Sequence, residues 1–285
     1  MSIFLDFDGT ITAQDTVSSL AKFALGVRAA AGEDLAQEWD GVVRAYVDDH
    51  TSRVEAYSPA ASSRSSPAQE VAFLRQLKGV EKRSLGRIHR SQVFRGIEPA
   101  AFRAAGAGLV REGTVVLRAG FRGFVERRLS EGWRVWVLSV NWSSAFIEGA
   151  CGGLEGVRVI ANDIREDGAI AGPEILNPSS AEEGDYEPRI LTNSRDKLDA
   201  MEATLRAEGL VGKPSVYFGD STTDLECLLA TSQGFVVADQ DDSSLLKTLV
   251  RIGKEVPHVR DQSTENKLAW TSNYENIPDD RFVLS

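Results

Sequence analysis

The rhythm of apolar and polar positions changes twice along this chain. It opens on an unbroken apolar run, Ile3-Phe4-Leu5, which leads into the polar turn Asp6-Phe7-Asp8-Gly9-Thr10. That is the pattern of a short buried strand followed by a glycine-bearing turn. From about Gln14 to Gly108 the apolar positions recur instead at helical spacing, as at Val17, Leu20, Phe23 and Ala24 and again at Trp39, Val42, Val43 and Tyr46. No strand pattern interrupts them. The run Ser58 to Glu70, rich in Ser, Ala and Pro, is expected to be a mobile loop between helices.

From Gly120 onward short apolar runs alternate with amphipathic ones. Strands are predicted over 133–139, 157–163, 215–220 and 234–239, and helices over 121–132, 143–152, 195–209, 222–230 and 243–253. The stretch 162–172, with its Asp-Gly turn, reads as a small hairpin. Strands separated by helices imply right-handed crossovers and a parallel sheet covered on both faces. The predicted fold is therefore α/β: a Rossmann-like three-layer α/β/α core over 1–13 and 112–285, with an all-helical domain, 14–111, inserted after the first strand. The C-terminal stretch 265–285 carries Trp270 and Tyr274 among polar residues and receives no role from its pattern.

Composition narrows the functional classes. With 285 residues and 42% hydrophobic content the chain can build a sizeable core. A formal net charge of -10 excludes the basic footprint that nucleic-acid binding needs. Cys151 and Cys227 give no disulfide framework, and His50, His89 and His258 add no metal spacing. With no signal-peptide pattern and no long apolar run, a cytoplasmic protein is expected, with no membrane partner. Monomer and homodimer are both open.

In open parallel sheets ligands bind outside the carboxyl ends of the strands, which directs attention to Asp6, Ser139 and Asp220. Taken singly, each has a bland reading as a helix cap or turn former. Taken together with Asp8, Lys197 and Asp224 they form a chemical set. Asp6, Asp8, Asp220 and Asp224 offer hard oxygen ligands suited to Mg²⁺. Such a cation would let Asp6 stay ionised as a carboxylate nucleophile, with Asp8 as general acid and then base. Ser139, with backbone N–H groups at the following helix start, and the Lys197 ammonium would meet the charge of a phosphoryl group.

At these residues the chain resembles the haloacid dehalogenase (HAD) superfamily, whose four signatures match Asp6 to Thr10, Val137 to Ser139, Lys197, and Gly219 to Asp224. The helical insert resembles the cap of the branch that contains phosphoserine phosphatase. The resemblance implies Asp6 as nucleophile and Asp8 as acid/base with its main-chain carbonyl on Mg²⁺. It implies that Thr10 supports the loop, that Ser139, Val140 and Asn141 hold phosphate, that Lys197 steadies the phospho-aspartate, and that Asp220 ligates the metal with Asp224 behind it. Ser139-Val140-Asn141-Trp142 departs from the Ser-Gly-Gly usual in phosphoserine phosphatases. Side chains there narrow the pocket against phosphoserine.

Three further residues are candidates for specificity. Asp15 stands where phosphoserine phosphatases carry an acid that meets the substrate amine, or else caps the helix that follows. Arg95 offers a guanidinium for a carboxylate or second phosphate, or is a solvated surface residue. Trp142 is a wall for an organic leaving group, or core. The leading reading is a Mg²⁺-dependent phosphatase for a small phosphorylated metabolite. A phosphomutase or phosphotransferase, and a catalytically silent phosphometabolite-binding protein, are the alternatives. The insert is expected to open and close over the site, hinging near Ala13-Gln14 and Gly108-Thr114.

Overall fold

The computed structural model describes residues 1–178, 188–261 and 266–282. In chain order the elements are β1 (Ser2–Leu5), α1 (Val17–Ala30), α2 (Ala36–Ala56), α3 (Pro67–Gln76), α4 (Lys78–Ser91), α5 (Pro99–Arg111) and α6 (Phe121–Ser130). There follow β2 (Arg134–Leu138), α7 (Ser144–Cys151), β3 (Val157–Ile160), β4 (Asp163–Ile164), β5 (Ile170–Ala171) and α8 (Ser194–Ala207). The chain then forms β6 (Ser215–Gly219), α9 (Leu225–Ala230), β7 (Gln233–Val237), α10 (Ser244–Arg251) and β8 (Leu268–Thr271). The predicted hairpin is the antiparallel pair of β4 and β5.

Six strands form one parallel sheet in the order β3-β2-β1-β6-β7-β8. β1 is central and buried throughout. Its register sets Leu5 level with Val137 of β2 and with Phe218 of β6, so the residues that follow these three strands leave the sheet along one edge. Because strand side chains alternate between faces, each strand feeds two cores. Ile3, Leu5, Val135, Val137, Val216 and Phe218 face one apolar cluster, while Phe4, Trp136, Leu138 and Tyr217 face the other. The α/β fold with a parallel sheet thus has the form expected.

Between β1 and β2 the regular elements are helices α1 to α6, the first five of them within 14–111. The two connections to the core run side by side: Thr12 forms an antiparallel bridge with Leu117, Ala13 N–H donates to Val116 O, and Gln14 Nε2 donates to Thr114 O at 2.7 Å. α5 lies against α7, so closely that a Cβ on Gly149 would sit 1.9 Å from Arg103 O. A larger residue there would force the helices apart.

The run expected to be a mobile loop is pinned. Ala61–Ser63 is a 3₁₀ turn, Pro67 opens α3, and the Ser66 hydroxyl accepts from Gln69 N–H. Between them Arg64 is only 4% exposed. A buried guanidinium requires a partner, and Glu70 supplies one at 2.7 Å while also pairing with Arg251 of α10 at 2.9 Å. Phe73 and Leu74 of α3 join the second core cluster, and Arg75–Glu226 and Lys78–Asp196 pairs extend the attachment at 2.8 and 2.5 Å. The insert is therefore fastened to the core along α3 as well as at its two connections.

The C-terminal stretch also has a place. β8 is the sixth strand, and Tyr274 beyond it is buried, its hydroxyl donating to Thr10 O at 3.2 Å. Phe282 packs on Phe124, Trp133 and Phe235. Of that stretch, residues 265 and 283–285 lie outside the described residues. Among the described residues no helix is long and apolar enough to cross a membrane.

Candidate active site

Asp6, Ser139 and Asp220 are the residues next after the ends of β1, β2 and β6, and the parallel register brings them to one edge. Asp6 is buried, its N–H donating to Phe218 O of the neighbouring strand. The turn after it is held tightly. Thr12 Oγ1 donates to Gln14 O at 2.6 Å, Thr10 Oγ1 donates to Asp220 Oδ1 at 3.1 Å, and Arg118 Nε donates to Gly9 O at 3.0 Å. Gly9 has φ +74°, and a Cβ there would lie 2.2 Å from Asp220 Oδ2. Only glycine fits, both for its backbone and for the space.

Lys197 reaches the same point from the first turn of α8, which Asn193 caps by accepting from Asp196 N–H. Its side chain is wholly buried, with Nζ 2.7 Å from Asp6 Oδ1 and 2.7 Å from Asp224 Oδ1. Burial by itself would lower the lysine, but Asp224 and Asp6 outweigh it and hold the ammonium charged. Asp224 Oδ1 also accepts from the Tyr217 hydroxyl at 2.7 Å, and its Oδ2 accepts from the N–H groups of Asp220 and Ser221, each at 3.1 Å. Both Asp224 oxygens are thus engaged by the protein. Tyr217 has no signal in the sequence beyond being an apolar-run residue.

Carboxylate oxygens of Asp6, Asp220 and Asp224 lie within 4.8 Å of one another. Burial, with the charge of Asp224 next, pushes the Asp6 carboxyl well above the usual range, and Lys197 pulls against that. The same two causes push Asp220 up to about 7. Three crowded acids with one ammonium carry excess negative charge. The Asp6 Oδ1 atom is buried and, although 2.7 Å from Lys197, is off the line of a good hydrogen bond. An all-oxygen donor set with a poorly satisfied buried oxygen fits a hard divalent cation.

The Asp8 carboxylate is held elsewhere. Its Oδ1 accepts from both the N–H and the hydroxyl of Thr16, at 2.7 and 2.6 Å, and its Oδ2 accepts from Asn141 Nδ2 at 2.8 Å. It is absent from the acid cluster, so any metal contact through it falls to the main chain. Burial and, secondly, Asp15 raise the Asp8 carboxyl, while the Thr16 and Asn141 bonds lower it. Thr16 is the N-cap of α1, yet its hydroxyl makes no cap bond and serves Asp8 instead. The sequence did not single it out.

Ser139 is fully buried after β2, and its hydroxyl accepts from Asn141 N–H at 3.1 Å. Asn162 fastens this loop: its Nδ2 donates to the carbonyls of Val140, Asn141 and Leu191, and its Oδ1 accepts from Leu191 N–H. Asp15 accepts from Val17 N–H at 2.8 Å, supporting the start of α1, and lines the cavity above the site together with Val140 and Trp142. Trp142 also packs on Phe94 and Trp39 in the first core cluster. Arg95 is not brought here. It is exposed, donates to Gln92 Oε1, and lines a separate recess with Arg165, Glu166 and Asp167.

The model of the haloacid dehalogenase-like hydrolases matches residues 3–229. The chain belongs to that family. A curated relative, Cold tolerance protein 1 of Saccharomyces cerevisiae, is 26% identical over 300 residues, spanning 94% of this chain and 89% of the yeast protein. Among solved structures, cytosolic 5'-nucleotidase IIIB bound to cytidine aligns with TM-score 0.52 and 14% identity, over 88% of this chain and 78% of its own. A phosphoserine phosphatase structure aligns with TM-score 0.47 and 15% identity, over 86% and 88%. The four signature positions fall at the carboxyl edge of the sheet or in the helix start beside it.

Proposed function

We propose that this HAD hydrolase is a Mg²⁺-dependent phosphatase that cleaves a small phosphomonoester through an aspartyl-phosphate on Asp6. The observation that carries the reading is the division of labour between two acids two residues apart. Asp6 faces Lys197, whereas Asp8 is held away from that cation by Thr16 and Asn141.

Asp6 and Asp220 would hold the metal, with Asp224 behind them already saturated by Lys197, Tyr217 and two N–H groups. Bound there, Mg²⁺ supplies positive charge against the crowded carboxylates and the phosphate oxygens. A carboxylate oxygen of Asp6 attacks phosphorus as the bond from phosphorus to the leaving oxygen breaks. The Asp8 carboxyl, raised by burial, gives its proton to that oxygen. The Asp8 carboxylate then takes a proton from the water that displaces Asp6, restoring both groups and releasing inorganic phosphate. Lys197 stays protonated throughout and offsets negative charge at Asp6.

The test is phosphate release from p-nitrophenyl phosphate in Mg²⁺ with no acceptor alcohol present. Wild-type protein should turn over, and Asp6→Asn should lose about 1,000-fold or more. Full turnover by Asp6→Asn would sink the covalent route, and product appearing only when an acceptor alcohol is supplied would point to phosphotransfer.

A further inference from the structure

A cavity of about 380 Å³ lies between α1, α2 and α4 of the insert and the loops that follow β2 and precede α8. Its lining comes within one residue along the chain of the groups that hold Asp8. Asp15 and Val140, both in its lining, are the chain neighbours of Thr16 and Asn141, which hold Asp8. Its volume is that of a site for a small organic molecule rather than for a phosphate alone.

The walls are apolar and aromatic. Trp39 from the insert and Trp142 from the core meet edge to face at 6.1 Å, and Val42, Leu85 and Ile88 complete that side. Among the described residues the charged groups lining the cavity are Asp15 and Glu81, both acidic, with no Lys, Arg or His. Glu81 is fixed on α4 by the hydroxyl of Tyr46 from α2, which donates to its Oε1 at 3.0 Å. Burial raises the Glu81 carboxyl and the Tyr46 bond opposes that. A neighbouring positive charge would favour its ionised form.

We infer that this cavity receives the leaving group of the phosphoester and selects a flat aromatic group that carries a positive charge, with Glu81 and Asp15 as its specificity-determining residues. A cation on an aromatic ring gains from the carboxylates and from the tryptophan faces. A leaving group bearing a carboxylate or a second phosphate would instead meet two acids and, among the described lining residues, no compensating cation. The positive charge of the site lies at Lys197, where it serves the phosphoryl group.

This inference rests on the phosphatase reading only for the word "leaving group", and its test separates the two. Three benzyl phosphates matched in shape serve as probes, carrying para-aminomethyl, para-methyl or para-carboxylate. For wild-type protein the aminomethyl ester should exceed the carboxylate ester in kcat/KM by about 100-fold, and Glu81→Gln should cut that ratio by about 10-fold, with Asp15→Asn acting in the same direction. In parallel, binding of the corresponding unphosphorylated alcohols is read from tryptophan fluorescence, since Trp39 and Trp142 line the cavity. Preference for the aminomethyl alcohol that Glu81→Gln removes upholds the cavity assignment even if no ester is hydrolysed, which would refute only the phosphatase reading. Equal binding of the two charged alcohols, or none, overturns the assignment whatever the phosphate release.

Discussion

Thr16 gives both its main-chain N–H and its hydroxyl to one oxygen of Asp8, at 2.7 and 2.6 Å. The contact crosses a boundary. Asp8 belongs to the turn after the central strand, and Thr16 opens the first helix of the insert. The helical insert therefore holds the proposed acid from the cap of its first helix, and Asn141 holds it from the β2 side.

Both donors favour the ionised form of Asp8, so removing one should raise its pKa further. An acid that must be protonated to act then remains active to higher pH. Thr16→Val should move the alkaline limb of the kcat/KM profile upward by about one pH unit. A profile that stays in place would show that Asp8 is not the acid or that the bond does not set its proton affinity.

Among the described residues Lys197 is the cation paired with Asp6 and Asp224, and its side chain is wholly buried. Lys197→Met leaves buried acids unpaired, which typically costs about 3–5 kcal/mol. Urea unfolding in EDTA should show a loss of that order, and Mg²⁺ should narrow the gap between variant and wild type because the cation replaces part of the missing charge. A variant as stable as wild type in EDTA would contradict this electrostatic account.

Asp220 binds a proton more tightly folded than unfolded, with a pKa of about 7 against an ordinary 3.8. The sign follows: its contribution is full below the unfolded value and is lost as pH rises through about 7. Metal-free protein should therefore be stabilised by this group as pH falls from 8 to 6, by on the order of 1 kcal/mol. Asp220→Asn should flatten that slope. Saturating Mg²⁺ should reverse it, since ligand oxygens must shed protons to bind a metal.

Glu70 is nearly inaccessible and pairs with both Arg64 and Arg251. Replacing it by Ala strands a buried guanidinium and should destabilise the protein by about 3–5 kcal/mol in denaturant titration. Because α3 lies against α8, which carries Lys197, Glu70→Ala should also speed amide exchange in α3 and at the start of α8. Exchange confined to the Ser58–Pro67 run would mean that α3 does not fasten the insert.

What the sequence determined by itself was the alternation of strands and helices as far as α10 and the residues that end the strands. Alternating apolar runs and amphipathic segments leave little choice but a parallel sheet, and Asp6, Ser139 and Asp220 follow from strand ends alone. Local pattern carries such information because a strand or helix is specified within a few residues. Contacts between distant residues are not so specified. Only the tertiary structure decided that Thr16 and Asn141 share Asp8, that Tyr217 and Lys197 share Asp224, and that Arg95 faces away from the site. The same limit concealed β8, whose few apolar residues become a strand because β7 offers an open edge to pair with. It concealed Arg64 too, whose burial depends on Glu70 and on a helix at the far end of the chain. The two acids of Asp-Phe-Asp look alike in sequence, and what separates them is the partner each one meets: an ammonium for Asp6, a hydroxyl and two amides for Asp8.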